Sequence, residues 1–180
     1  MKSRRRFLLS GGSALAALAA LTHWRAFAAG GPGAADAKDA KDAAGGAPAR
    51  FEVTRSDAQW RAQLTPAQYH VLREEGTERP YSSPLNDEHR SGVFACAGCS
   101  RELFSSSTKF DSHTGWPSFW APLDHAVATR EDGSFGMART EVHCGRCGGH
   151  LGHVFDDGPK PTGLRYCMNG LAMTFTPRAA

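Results

Sequence analysis

Five cysteines carry most of the chemistry open to this chain of 180 residues. Four come as two C-x2-C pairs, Cys96/Cys99 and Cys144/Cys147, with 44 residues between the pairs. A C-x2-C turn aims two sulfurs at one point. Two such turns meeting make a closed tetrahedral thiolate site, which structural zinc prefers. With no open ligand position, that ion would hold the fold rather than act on a substrate. Two other arrangements stay open. Two disulfides would suit an exported chain. Alternatively Cys144, Cys147, His150 and His153 form a local Cys2His2 set, leaving Cys96 and Cys99 as a redox pair, although the H-x2-H gap is shorter than the usual finger spacing.

The fifth cysteine, Cys167, stands outside any pair in the run RYCMNG, residues 165–170. An odd cysteine in an exported protein bridges another molecule, lies inert or reacts. Inert burial is the common fate of a free thiol. Three nearby features favour reaction. TGWPSFW (114–120) is a turn rich in aromatics, with Trp116, Phe119 and Trp120. HLGHVFDDG (150–158) holds His150 and His153 beside Gly152. Asn169 follows Cys167 by two residues, so on a strand both point to one face. A thiol, two imidazoles, an amide and an aromatic wall are the parts of a nucleophilic site with an apolar pocket.

In this order, CAGC, TGWPSF, CGRCGGHLGHVFDDG and RYCMNG resemble the B-type methionine sulfoxide reductases, which reduce the R epimer of methionine sulfoxide. The resemblance runs from about Phe51 to Thr176. It implies two antiparallel β-sheets and a structural zinc on Cys96, Cys99, Cys144 and Cys147. It implies that Cys167 attacks the sulfoxide sulfur, giving methionine and a cysteine sulfenic acid, the first reversible rung of thiol oxidation. Trp116 is then expected to pack against the substrate methyl, with Phe119 nearby. His150, His153 and Asn169 are expected to hold and protonate the sulfoxide oxygen, with His153 as the donor. Nearby imidazole is expected to lower the pKa of the thiol. The implied substrates are oxidised proteins or peptides bearing methionine R-sulfoxide.

Two departures from that family stand out. Many members carry a second, resolving cysteine just before GWPSF, where this chain has DSHT, ending in His113 and Thr114. With four cysteines given to zinc, an external thiol is expected to restore Cys167, from a thioredoxin-like protein or a small molecule. The other is Gly170, where the family commonly has Ser, and a modest effect is expected. Competing classes are a zinc-ribbon-like binding module without catalysis and a disulfide-stapled structural protein. Both would leave Cys167 idle.

The elements that must position these residues lie in 51–178. Ser56-Asp57-Ala58-Gln59 and Thr65-Pro66-Ala67-Gln68 fit the capping box, so two short helices are expected, the second ending near Gly76. Trp60 and Leu64 share a face. A Pro-rich loop, 78–87, follows. Beyond it, GVFAC, ELFSSSTKF, HAVATR, SFGMARTEVHC and LRYCMNGLAMTFTP read as short strands, with a hairpin signal at Glu131-Asp132-Gly133. The fold class expected is mainly β, two antiparallel sheets with a small helical N-terminal layer, stabilised by one structural zinc.

Ahead of that domain lie two segments of other character. Residues 1–28 pair a run of arginines with a short apolar stretch and end in Ala-Phe-Ala, which resembles a twin-arginine export signal. Such an address implies a periplasmic or otherwise exported protein that meets a membrane only in transit. Residues 29–50, rich in Ala, Gly, Asp and Lys, read as a disordered linker. Five of the 21 basic residues fall in the first 28, which hold no acid, so the remainder has 16 against 18 acids and a formal charge of −2. A nearly neutral domain lacks the basic footprint that nucleic acid binding requires.

Overall fold

The computed structural model describes residues 51–136 and 138–179. The export signal and the linker expected over 1–50 lie outside the described residues. Two helices open the domain, α1 (Asp57–Gln63) and α2 (Pro66–Glu74). Both start on the expected capping boxes: Ser56 and Thr65 hydroxyls accept from the amides of Gln59 and Gln68, whose side chains accept in return from the cap amides. Each box satisfies two amides that a helix start otherwise leaves unpaired. The second helix closes on Glu75, in the left-handed conformation, one residue before the expected Gly76.

Among the described residues, nine strands follow. A three-stranded sheet has the order β2-β1-β9, from β1 (Gly92–Cys96), β2 (Glu102–Ser105) and β9 (Met173–Pro177). A six-stranded sheet has the order β3-β4-β8-β7-β6-β5. Its members are β3 (Lys109–Phe110), β4 (Ser118–Phe119), β5 (Val127–Asp132), β6 (Arg139–Cys144), β7 (His150–Phe155) and β8 (Arg165–Met168). Every pairing is antiparallel. Two antiparallel sheets with a small helical layer are therefore the architecture expected from the sequence.

Two expected strands prove to be broken ones that change sheets. ELFSSSTKF divides into β2 and β3 around a 3-10 turn at Ser106–Thr108. There the Ser105 hydroxyl accepts from Ser107 N and the Thr108 hydroxyl donates to Ser105 O, local bonds that compete with the ladder. LRYCMNGLAMTFTP divides into β8 and β9 around a turn at Gly170–Ala172. SFG, at 134–136, is a turn rather than the start of a strand. The strand β7 was not among those expected.

The core joins both sheets and the helices. Phe94, Phe104 and Phe119 are fully buried; Phe119 stacks on Phe104 with centroids 4.4 Å apart and meets Phe94 edge-on at 4.9 Å. Leu72, Leu103, Leu151 and Met168 fill in around them, and α2 packs on β7 and on the turn at 170–172.

Candidate active site

Register builds the site. Cys167 on β8 pairs with Ser118 on β4 to one side and with His153 on β7 to the other. His153 pairs in turn with Glu141 on β6, and Glu141 with Arg130 on β5. Directly opposed residues of an antiparallel sheet share a face, so five chemically active side chains form one row across the sheet. The row depends on a close approach at Gly152, where an added Cβ would overlap the Cys167 carbonyl oxygen. An irregularity between Val142 and His143 swings His150 into the same neighbourhood. The two imidazole rings meet edge-on, with centroids 5.5 Å apart.

A cavity of about 140 Å³ opens beside Cys167. That is well below the roughly 300 Å³ at which drug-sized pockets begin, and suits one small side chain. Trp116 and Phe155 supply its apolar wall; Thr77, Arg139, His153 and Asn169 supply polar groups. A polar cavity of about 430 Å³ shares Thr77, Arg139 and His153 with it, and is where His150 lies. The structure thus brings Cys167, His153, Asn169 and Trp116 together, with His150 behind His153. Phe119 is the exception. It faces the fully buried core between the sheets and does not line the cavity, where Phe155 stands instead. Neighbouring strand residues point to opposite faces, so with Ser118 beside the thiol, Phe119 must turn inward.

The two imidazoles and the carboxamide have fixed partners. His153 Nε2 lies 2.7 Å from Asp132 Oδ2, and His150 Nδ1 lies 2.7 Å from Glu141 Oε1. Burial lowers the pKa of His153, against the pull of Asp132. Hydrogen bonds from Ser134 first, then from His153, hold the Asp132 carboxyl well below the usual range. Burial opposes ionisation of Glu141, yet bonds from His150 and Arg130 outweigh it and hold that carboxyl low as well. The Asn169 carboxamide accepts from Glu78 N at 3.0 Å and donates to Leu151 O at 3.0 Å. A carboxamide has a second N–H to offer.

The four paired cysteines converge. Their sulfurs all lie within 4.8 Å of one another, with Cys96 to Cys147 at 3.8 Å and Cys99 to Cys144 at 3.5 Å. Four sulfurs held at about 2.3 Å from one ion stand about 3.8 Å apart, so the cluster is suited to zinc. The observed separations are well beyond the roughly 2.05 Å of an S–S bond, so the sulfurs are arranged as separate thiols rather than as disulfides. The local Cys2His2 set fails, because Cys144 and Cys147 converge with Cys96 and Cys99, and among the described residues no imidazole joins that group.

Comparison with known proteins gives the family. The model of the SelR domain matches residues 64–177, most of the described chain. The chain belongs to the SelR domain family. Among its relatives, a protein of Agrobacterium fabrum named peptide methionine sulfoxide reductase MsrB is 56% identical over 127 residues, which span 70% of this chain and 94% of the relative. A protein of the same name from Thiobacillus denitrificans is 56% identical over 125 residues, 69% of this chain and 95% of the relative. A third, from Methanosarcina mazei, is 53% identical over 129 residues, 71% and 92% of the two chains.

The SelR domain surrounds its lone thiol differently from what the sequence suggested. Burial pushes the Cys167 pKa up, and the groups that oppose this are Thr114, Arg165 and Ser118 rather than an imidazole. Thr114 Oγ1 lies 3.8 Å from Cys167 Sγ and shares a hydroxyl chain with Ser112 and Ser118, each link 2.7–2.8 Å long. Sequence reasoning also passed over Thr77, Arg139, Phe155 and Asp132. Asp132 had been visible only as part of a hairpin turn. The register Asp132↔Arg139 sets it at the edge of the site.

Proposed function

We propose that this SelR domain reduces the R epimer of methionine sulfoxide in proteins and peptides to methionine. The observation that carries the reading is the row in which Cys167 sits between Ser118 and His153, against the small cavity walled by Trp116. The close relatives named as peptide methionine sulfoxide reductases support it. Trp116 and Phe155 hold the substrate methyl. The Cys167 thiolate attacks the sulfoxide sulfur and forms an S–S bond; the oxygen takes a proton from the His153 imidazolium, whose charge Asp132 stabilises with His150 behind it, and shifts as hydroxyl to the Cys167 sulfur as the S–S bond and the substrate S–O bond break. Methionine leaves with two electrons gained, and Cys167 remains as the sulfenic acid. Asn169 directs its second N–H at the oxygen. An epimer-resolved assay with dithiothreitol tests this. The full chain should turn over the R epimer alone, and Cys167→Ser should lower that rate at least about a thousandfold, the scale on which loss of a nucleophile is felt. Equal turnover of both epimers, or a Cys167→Ser chain of native rate, overturns the reading.

An external thiol restores Cys167: it condenses with the sulfenic acid, water departs, and a second thiol releases the mixed disulfide. The proximity of Thr114 to Cys167, where a resolving thiol would be useful, supports this. Mass spectrometry showing an intrachain Cys167 disulfide after one turnover would refute it. Cys96, Cys99, Cys144 and Cys147 hold a structural zinc, which ties the turn after β1 to the turn between β6 and β7. Metal analysis that finds two disulfides and no zinc rejects that assignment. Residues 1–28 act as a twin-arginine export address that places the protein in the periplasm. Fractionation that keeps the chain wholly in the cytoplasm removes this part of the reading.

A further inference from the structure

Glu78 opens the Pro-rich loop after α2, outside the motifs that carry the reactive groups. It is a buried acid, only 7% exposed. Burying a carboxylate is costly unless its oxygens are bonded, and this one has two backbone donors. Gly170 N donates to Oε1 at 2.6 Å and Leu171 N to Oε2 at 3.0 Å. Those amides open the turn that begins on Asn169. The main chain of Glu78 is committed to the site as well. Its N–H donates to Asn169 Oδ1 at 3.0 Å, and its carbonyl accepts from Trp116 Nε1 at 3.1 Å. Four hydrogen bonds from one residue therefore join the apolar wall, the carboxamide and the chain just past the thiol.

We infer that Glu78 is a positioning residue for the reduction: its carboxylate pins the turn at 170–171 so that Asn169 presents its free N–H to the sulfoxide oxygen while the thiol attacks. The alternative is a buried acid that only fills space. Local chemistry separates the two. Cys167 sits in the ladder between β4 and β7, so its own placement does not need Glu78. Trp116 is tied to the Glu78 carbonyl, which side-chain substitution leaves in place. The carboxylate acts on the turn alone. Loss of one acceptor should therefore fall on the chemical step more than on substrate binding.

This inference rests on the reductase reading, and its test keeps the two apart. In the full chain, Glu78→Gln preserves volume but sets an NH2 group against one of the two backbone amides. With N-acetyl-methionine R-sulfoxide and dithiothreitol, kcat should fall at least about tenfold while KM stays within about threefold. Alkylation of Cys167 by iodoacetamide should stay within about twofold of the native rate. The Asn169 side-chain amide resonances should shift while the Trp116 indole resonance holds its place. If Glu78 acts through Asn169, the loss from Glu78→Gln should nearly vanish in an Asn169→Ala background, since residues that work as one unit are not additive. Full additivity, an unmoved Asn169 amide, or parallel loss of kcat and alkylation rate overturns the assignment. A native chain inert toward the R epimer instead sinks the reductase reading, and the amide shift alone then decides the link between Glu78 and Asn169.

Discussion

At the scale of single residues, the thiol is the group whose surroundings decide most. Burial raises the Cys167 pKa above its ordinary value near 9, so the resting protein holds few thiolates at neutral pH. The thiolate is the reactive form. The rate of Cys167 alkylation should therefore climb with pH through and beyond about 9, and stopped-flow alkylation of the free protein reads this directly. An inflection below pH 7 would contradict it. Thr114 offers a second residue-scale test. Its hydroxyl lies 3.8 Å from the sulfur, so Thr114→Cys should create a partner able to condense with the sulfenic acid. After one turnover, peptide mapping should find a 114–167 disulfide, and the variant should accept thioredoxin-like donors several-fold faster than the native chain. Which residues were legible in advance follows from locality. Cys167, His153 and Trp116 are marked by type and by immediate neighbours. Asp132 and Glu78 are not, because each reaches the site through a pairing or a loop that brings distant residues together. Phe119 was misplaced for the same reason: among three aromatics in one turn, only strand register says which faces inward.

The elements show where local reading succeeds. Both capping boxes specify their helices because all partners lie within four residues. The strand β7 went unseen because HLGHVF mixes two histidines with a glycine, and its extended form comes from pairing on both sides with β6 and β8. The broken strands at 102–110 and 164–177 read as continuous because side-chain alternation carries across a short turn. The turn at 170–172 leaves little room beside Gly170. An added Cβ there would overlap the Ser83 side chain and come within 3.3 Å of Glu78 Oε1. Ser83 is itself nearly buried and caps the turn at Pro84–Asp87. Gly170→Ala should thus destabilise the fold by about 1–3 kcal/mol, the range for overpacking. Ser83→Gly should recover part of that loss, giving a measurable coupling in a double-mutant cycle by urea denaturation. Simple additivity would show that the crowding is relieved elsewhere.

For the whole molecule, the four-sulfur cluster matters more than its size suggests. It joins the end of β1, in the three-stranded sheet, to the turn between β6 and β7, in the six-stranded one. Under the zinc reading, the metal adds its binding free energy to folding, so a strong chelator should unfold the domain or lower its melting temperature sharply. Circular dichroism before and after chelation measures this; an unchanged melting curve argues against the clamp. Under the same zinc reading, the metal would also close the chain between Cys99 and Cys144 into a ring. The exposed turn at 133–134 lies within that ring. A protease that nicks the backbone there should leave two pieces that still travel together, and part only once the metal is stripped away.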